Sequence, residues 1–182
     1  MLRIKQFLIR RYAESDAAAF AAAIRESQAV MGKWMPWAHG DYTEAEALSW
    51  FAHCTAEREK GTAYEFGIFH AGSQEFVGGC GLNQLNLMHG FCNLGYWVRA
   101  SAQRQGAALS AIDGLSRHAF ADLGLGRVEI VVAEGNEASM AVAEKAGARR
   151  ECLARNRLKL HGEFTDAYVY SLVPTDLKEQ HG

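Results

Sequence analysis

Gly95-Tyr96-Trp97-Val98 ends a predicted strand, and Gln103-Arg104-Gln105-Gly106-Ala107-Ala108 begins a predicted helix shortly after it. Small residues at this helix start let a ligand approach the backbone. About four amide N–H groups in the first turn of a helix lack a partner inside it, and the helix dipole adds about half a positive charge there. The segment is therefore a candidate phosphate or pyrophosphate site, although an ordinary helix start built from small residues has the same composition.

Several other nucleotide and hydrolase motifs are absent from the sequence. The segment lacks the trailing Lys and Ser/Thr of a phosphate-binding P-loop, and no Gly-x-Gly-x-x-Gly follows a predicted strand. The chain also has no Gly-x-Ser-x-Gly nucleophile elbow. These absences disfavour mononucleotide hydrolysis, dinucleotide redox chemistry and hydrolysis through an acyl-enzyme.

Apolar runs and capping residues on either side of this segment predict alternating strands and helices. Strands are predicted over residues 7–12, 64–69, 75–82, 91–98, 127–133 and 165–173. Helices are predicted after the caps Ser15 and Asp16, from the Thr43 and Glu46 capping box to Gly61, over residues 106–123, and from Asn136 to Gly147. Short turn signals between the three middle strands indicate antiparallel pairing, and the strand-helix-strand-helix unit that follows indicates a mixed α/β sheet.

The composition is that of an ordinary globular protein. The chain has 182 residues, of which 49% are hydrophobic and 22% charged, and we expect a single domain over residues 1–182. Its 19 Lys and Arg residues against 21 Asp and Glu residues leave no basic surface for nucleic acid. No apolar run approaches the roughly 18 residues of a membrane helix, so we expect a soluble, cytoplasmic protein with no membrane partner.

The cysteines and histidines do not form a metal motif. The four cysteines are scattered along the chain as Cys54, Cys80, Cys92 and Cys152, and the seven histidines have no zinc-type spacing. We therefore expect reduced, mostly buried cysteines and no metal cofactor.

A second polar segment, Asn136-Glu137-Ala138-Ser139, opens the helix that follows the strand over residues 127–133. Asn136 is a typical helix cap, which is a purely structural role. Ser139 lies on the first turn of the helix, where its hydroxyl could instead face a cleft.

Taken together, the order and spacing of these motifs resemble the GNAT acetyltransferases. The resemblance rests on the four segments Gly95-Tyr96-Trp97-Val98, Gln103-Arg104-Gln105-Gly106-Ala107-Ala108, Leu123-Gly124-Leu125-Gly126-Arg127-Val128-Glu129 and Asn136-Glu137-Ala138-Ser139. Within the superfamily the chain resembles the RimJ/RimL-type N-terminal acetyltransferases of ribosomal proteins, through Trp34-Met35-Pro36-Trp37, Glu144-Lys145-Ala146-Gly147, Glu151 with Arg155, and residues 162–166 before Tyr170-Ser171-Leu172.

This resemblance implies a twisted, mixed, mostly antiparallel sheet of about seven strands, flanked by helices and splayed at its central strands. Acetyl-CoA would lie in the gap between the strand ending at Val98 and the strand over residues 127–133. The cofactor-binding residues that it implies are Trp97, Val98, Gln103, Arg104, Gln105, Gly106, Ala107, Ala108, Asn136 and Ser139.

The chemistry implied is direct attack by a neutral amine on the thioester carbonyl in a ternary complex. Ser139 matches the family's candidate for protonating or orienting the CoA thiolate. Two carboxylates usual in relatives are missing, because Asn93 and Leu158 occupy their positions. We therefore hypothesise that the amine loses its proton to a water held by Asn93, or to Glu129 if that side chain faces the cleft; an exposed strand Glu is the structural alternative.

The acceptor is less well defined than the acetyl donor. In the resembled family the region around Trp34 and Trp37 borders the substrate, although aromatic side chains also commonly form the core. The resemblance favours acetyl transfer to the α-amine of a protein or peptide N-terminus. A polyamine or amino-sugar acceptor and a non-catalytic acyl-CoA-binding module are the alternatives, and a homodimer is common in the family.

Overall fold

Eight strands form one sheet in the computed structural model, which describes residues 1–177. In chain order the strands are β1 (Leu2–Ile4), β2 (Phe7–Arg10), β3 (Tyr64–His70), β4 (Phe76–Asn86), β5 (Phe91–Val98), β6 (Arg127–Ala133), β7 (Arg149–Leu160) and β8 (Glu163–Leu172). Their order across the sheet is β1-β2-β3-β4-β5-β6-β8-β7, and every neighbouring pair is antiparallel except β5 and β6. The predicted mixed, mostly antiparallel sheet is confirmed, with eight strands.

In the described part of the chain, four α-helices accompany the sheet, close to the positions predicted from their capping residues. They are α1 (Ala17–Met31), α2 (Glu44–Lys60), α3 (Ala107–Ala121) and α4 (Glu137–Lys145). Helix α2 has the predicted capping box, in which Thr43 Oγ1 accepts from the Glu46 amide at 3.2 Å and the Glu46 carboxylate accepts from the Thr43 amide at 2.8 Å. Asp16 caps differently from the prediction: its carboxylate accepts from the Ala13 amide at 2.8 Å, within a 3-10 turn that precedes α1.

The helices cover the two faces of the sheet and create two apolar clusters. Residues of α3 and α4 pack with the strands on one face, around Ile112, Leu115 and Tyr170. Helices α1 and α2 pack on the other face, where Phe20 and Phe51 belong to the second cluster. Within residues 1–177, no helix combines the length and apolar character that a membrane crossing requires.

The parallel pair at the centre of the sheet is short. Strands β5 and β6 pair only at Phe91 with Arg127, Cys92 with Val128 and Asn93 with Glu129. Beyond these positions β5 continues along β4 to Val98, while β6 continues along β8 to Ala133. The sheet therefore opens between β5 and β6, as the resemblance implied.

We predict that Phe20→Ala strongly destabilises the protein, because its ring forms the centre of the second cluster. The ring centroid lies within 5.2–5.5 Å of the rings of Phe51, Tyr12 and Trp97. Loss of a buried Phe side chain costs about 3–5 kcal/mol. Urea unfolding measures the change, with Val30→Ala as the control, because Val30 lies on the same helix and is 51% exposed. Equal midpoints for the two variants would contradict the predicted role of Phe20.

Candidate active site at the gap between two strands

The gap lies along residues 94–98 of β5, which have no partner on β6. Strand β4 pairs with the other edge of this segment as far as Val98. Buried backbone N–H and C=O groups need partners, so an extended ligand that enters the gap could satisfy the free edge of β5. Trp97 and Val98, both predicted to bind a ligand through their backbone, lie on this edge.

The predicted phosphate segment directly follows this edge and bends sharply before α3. Arg104 and Gly106 both have left-handed backbone conformations, with φ values of 63° and 89°. Gly106 is the N-cap residue of α3 and has no side chain that could occupy the first amides of the helix. Gln6 Nε2 donates to the Gln105 carbonyl at 3.2 Å and ties the segment to the start of the chain. The arrangement leaves the amides of the first turn available to an anion.

Helix α4 contributes two of the predicted residues on the β6 side of the gap. Asn136 is its N-cap, and Asn136 Oδ1 accepts from the Ser139 amide at 3.2 Å, so its structural role as a cap is present. The Ser139 hydroxyl lies 3.0 Å from the Tyr96 hydroxyl, and Tyr96 also donates to the Ser139 carbonyl at 3.2 Å. Since Tyr96 belongs to β5, these contacts bridge the gap from one side to the other.

Tyr96 was not among the predicted site residues, although it stands in the motif that carries the resemblance. Burial raises the pKa of its hydroxyl to about 12, despite the hydrogen bond with Ser139 that lowers it. The phenol therefore stays protonated near neutral pH, and the Tyr96 and Ser139 hydroxyls form a pair that can pass a proton.

A cavity of about 410 Å³ lies beside the free edge of β5, on the face covered by α1 and α2. Its walls are mainly aromatic and apolar. It is lined by Tyr12, Phe20, Met35, Trp37, Tyr42, Trp50, Glu65, Gly79, Cys80, Asn83, Gly95, Tyr96 and Trp97. The cavity thus places a substrate-sized apolar space next to the gap.

The two tryptophans predicted to border a substrate lie in different places. Trp37 lines the cavity, is 44% exposed, and has its ring centroid 6.1 Å from that of Trp97. Trp34 is not a lining residue; its ring lies near Gly135, between β6 and α4, with the Lys33 ammonium 4.4 Å from the ring centroid. Of these two predicted residues, Trp37 borders the cavity beside β5 and Trp34 does not.

One carboxylate, that of Glu65 on β3, lines this cavity. Asn83 Nδ2 donates to Glu65 Oε1 at 3.2 Å, and Asn93 Nδ2 donates to Asn83 Oδ1 at 2.9 Å. The carboxylate lies directly against Gly81, where a Cβ atom would overlap it. Burial raises the pKa of Glu65, and the hydrogen bond from Asn83 only partly offsets this. Two hydrogen bonds thus connect Asn93, predicted as a catalytic residue, to the Glu65 carboxylate through the Asn83 amide.

Glu65 was missed because its strand was considered only as a source of apolar periodicity. The sequence did carry a signal, because the run Tyr64-Glu65-Phe66-Gly67-Ile68 is apolar except for one charged residue. In the structure, this strand lies inside a sheet that helices cover on both faces. Carboxylates in such places are uncommon unless they are paired or functional.

Glu129 faces the same side of the sheet as Asn93 but belongs to another group of charges. Arg127 Nε donates to Glu129 Oε1 at 2.9 Å, and both terminal nitrogens of Arg127 donate to Glu151 at 2.8 and 2.6 Å. These bonds lower the pKa of Glu151 to about 2. Glu129 does not line the cavity.

A second cavity of about 270 Å³ adjoins the first and has a more polar wall. Trp50, Glu65 and Asn83 line both cavities, and His53, Glu57 and Thr62 line only the second. Residues 1–177 contain no cluster of three or more His, Cys, Asp or Glu side chains suited to holding a metal ion.

Comparison with known proteins places these features in a family. Residues 6–149 match the model of the acetyltransferase (GNAT) domain. The chain is 31% identical over 170 residues to the "Putative ribosomal N-acetyltransferase YdaF" of Bacillus subtilis, covering 91% of this chain and 90% of the relative.

Solved structures with the same fold include two with related names. A "putative ribosomal-protein-serine acetyltransferase" from Vibrio cholerae superposes with a TM-score of 0.84 and 32% identity, covering 94% of this chain and 96% of the other. Mycobacterium smegmatis RimJ, solved in complex with CoA-disulfide, gives a TM-score of 0.86 and 26% identity, covering 95% and 84% of the two chains.

We predict that Gly81→Ala destabilises the protein by about 1 kcal/mol, because the added methyl group overlaps the flexible end of Glu65, which must move and lose its hydrogen bond with Asn83. Gly95→Ala is the matched control on the neighbouring strand, since a Cβ there meets no atom within 4 Å. Chemical unfolding of both variants measures the difference. A stability of Gly81→Ala equal to that of Gly95→Ala would show that the carboxylate does not occupy this position.

Proposed function

Because the chain belongs to the GNAT acetyltransferase family, in its RimJ/RimL-like branch, we propose that it transfers an acetyl group from acetyl-CoA to the α-amine of a protein or peptide N-terminus. The observation that carries the proposal is the open gap beside residues 94–98, which runs directly into the uncapped start of α3. An extended thioester substrate with an anionic pyrophosphate matches both parts of this arrangement.

The residues along the gap fit the successive parts of acetyl-CoA. The amides of residues 103–108 hold the pyrophosphate, because the left-handed turns at Arg104 and Gly106 turn this segment toward the helix start. The pantetheine arm pairs with the free backbone edge at Trp97 and Val98, and the amide group of Asn136 contacts it from the β6 side. A backbone pairing of this kind accounts for a strand edge that is otherwise left open inside the sheet.

The bound thioester supplies an activated acetyl group and a thiolate that leaves. Backbone N–H groups near Trp97 and Val98 stabilise the negative charge that develops on the carbonyl oxygen. The Ser139 hydroxyl, hydrogen-bonded to Tyr96, donates a proton to the departing sulfur. No covalent intermediate on the enzyme is needed, because positioning the amine and the carbonyl in one complex supplies much of the rate acceleration.

The α-amine is the preferred acceptor for two reasons. Similar proteins carry names of ribosomal-protein acetyltransferases. An α-amine also has a reference pKa of about 7.7–8.0, against about 10.4 for a lysine side chain, so a larger share of it is neutral near pH 7. Trp37, exposed at the cavity, borders the acceptor as it enters, whereas Trp34 does not line the cavity, so that its contact with the acceptor stays a prediction. The homodimer expected from the family stays a prediction.

We predict that the purified chain releases free thiol from acetyl-CoA when it is given peptides with a free N-terminus. The matched control is the same peptide set with blocked N-termini and free lysines, which we expect to react far more slowly. Mass spectrometry of the peptides checks that one acetyl group is added at the α-amine.

Two outcomes of this experiment contradict the proposal. Thiol release with polyamines or amino-sugars but with no peptide would assign a small-molecule acceptor. Tight binding of CoA without thiol release from any amine would identify a non-catalytic acyl-CoA-binding module.

We further predict that Ser139→Ala and Tyr96→Phe each lower kcat by at least about tenfold, since each removes one hydroxyl of the pair that passes the proton. The KM for acetyl-CoA should change little. The double variant should cost much less than the product of the two single losses, because the hydroxyls act as a unit. Steady-state kinetics measures all three variants.

Ser116→Ala is the control for these variants. Its buried hydroxyl finds no hydrogen-bond partner among residues 1–177, and it lies on α3 away from the gap. Additive losses for Ser139→Ala and Tyr96→Phe would contradict a shared proton path.

A further inference from the structure

The Glu65 side chain lies in the partition between the two cavities. It lines the apolar cavity together with Gly95, Tyr96 and Trp97, which belong to the free part of β5. It also lines the polar cavity that holds His53 and other polar side chains of α2. A group at this position meets the acceptor on one side and a polar space on the other.

The carboxylate is held in one orientation by its neighbours. Asn83 occupies Oε1 with a hydrogen bond of 3.2 Å, and Asn93 fixes the Asn83 amide in turn. Gly81 lets the carboxylate lie flat against β4, where any larger residue would overlap it. No hydrogen bond from residues 1–177 reaches Oε2. One carboxylate oxygen is therefore anchored, and the other remains available to a ligand.

Several titratable groups surround this carboxylate. Those that interact with it electrostatically are His53, Cys54 and Arg58 of α2, Tyr12 after β2, and Cys80 of β4. The Arg58 guanidinium is already engaged, since it donates to the Glu65 carbonyl at 2.8 Å and lies 4.5 Å from the Phe66 ring centroid. Burial outweighs these groups and raises the pKa of Glu65 above its usual value, which makes the carboxylate a stronger proton acceptor.

We propose, resting on the acetyl transfer proposed above, that Glu65 is a catalytic residue whose carboxylate removes a proton from the ammonium group of the acceptor. The aromatic walls contributed by Trp37, Trp50 and Trp97 favour a cation at the same place. Glu129 and Asn93 are less suited, because Arg127 holds the Glu129 carboxylate and Asn93 carries only an amide.

The protons and bonds balance in this scheme. The ammonium gives one proton to Glu65, which passes it to solvent through the polar cavity and returns to the carboxylate. The neutral nitrogen then attacks, so that a nitrogen–carbon bond forms and the carbon–sulfur bond breaks. The Tyr96 and Ser139 hydroxyls give one proton to the thiolate. The nitrogen releases its second proton after the attack, and this proton restores the hydroxyl pair. The products are the acetylated amine, free CoA thiol and one proton in solution.

We predict that Glu65→Gln changes the pH dependence of kcat/KM for a peptide with a free N-terminus. Without the base, the rate follows the neutral fraction of the α-amine, whose pKa is about 7.7–8.0. The loss should be about 10²-fold near pH 6.5 and should fall below about tenfold near pH 9, where solvent alone deprotonates the amine. Glu59→Gln is the matched control, since Glu59 is exposed on α2 and lines neither cavity.

A second variant tests the same role without altering Glu65. Asn83→Leu removes the hydrogen bond that favours the charged carboxylate, so the pKa of Glu65 should rise. The acid limb of kcat/KM should therefore move to higher pH, because more alkali is then needed to ionise the base. This measurement does not depend on whether Glu65→Gln folds.

Three results would overturn the role of Glu65: a loss in Glu65→Gln that is equal at every pH, an acid limb that stays in place in Asn83→Leu, or a pH-dependent loss in Glu129→Gln instead. These three results differ from a failure of the proposed function. If the proposed function fails, the wild-type chain itself releases no thiol with any amine, and Glu65 then has no catalytic role.

Discussion

Backbone N–H and C=O groups inside a protein need partners, and the end of β5 lacks them on one side. Strands β5 and β6 run parallel because α3 connects them, and their pairing stops after Asn93 and Glu129. The rest of the site depends on this interruption. It exposes a strand edge to a ligand, directs the chain into the uncapped start of α3, and leaves Tyr96 to reach Ser139 across the opening.

The two faces of the sheet contribute differently to the site. On the face of α3 and α4, closely packed aliphatic residues hold the strands that flank the gap. On the face of α1 and α2, aromatic rings and strand glycines leave a cavity in which a single carboxylate is retained. Gly81 and Asn83 provide the space and the hydrogen bond for that carboxylate. The same enclosure that makes the Glu65 carboxylate costly to ionise raises its affinity for a proton, the property on which its proposed role as a base depends.

Local signals predicted most elements, and the failures have physical causes. The Thr43 and Glu46 capping box, with Gly61 at the other end, located α2 because caps are short-range interactions. Strand β7 was not assigned, because its twelve residues are mostly exposed and polar and carry little apolar alternation. Strand β1 has only three residues, too few to establish a period. Both depend on pairing with a neighbouring strand, which periodicity does not report.

Residue order alone predicted the mixed sheet and the family, which are confirmed, and a phosphate-binding role for the segment before α3, which stays a prediction; all three depend on motifs a few residues long. Tertiary structure decided which side chains meet. It paired Tyr96 with Ser139, engaged Glu129 with Arg127, and placed Trp37 but not Trp34 at the cavity. It also brought Glu65 beside β5, about thirty residues away in the sequence, because β3, β4 and β5 are neighbours in the sheet. Proximity between strands is set by pairing and packing, which no local pattern encodes.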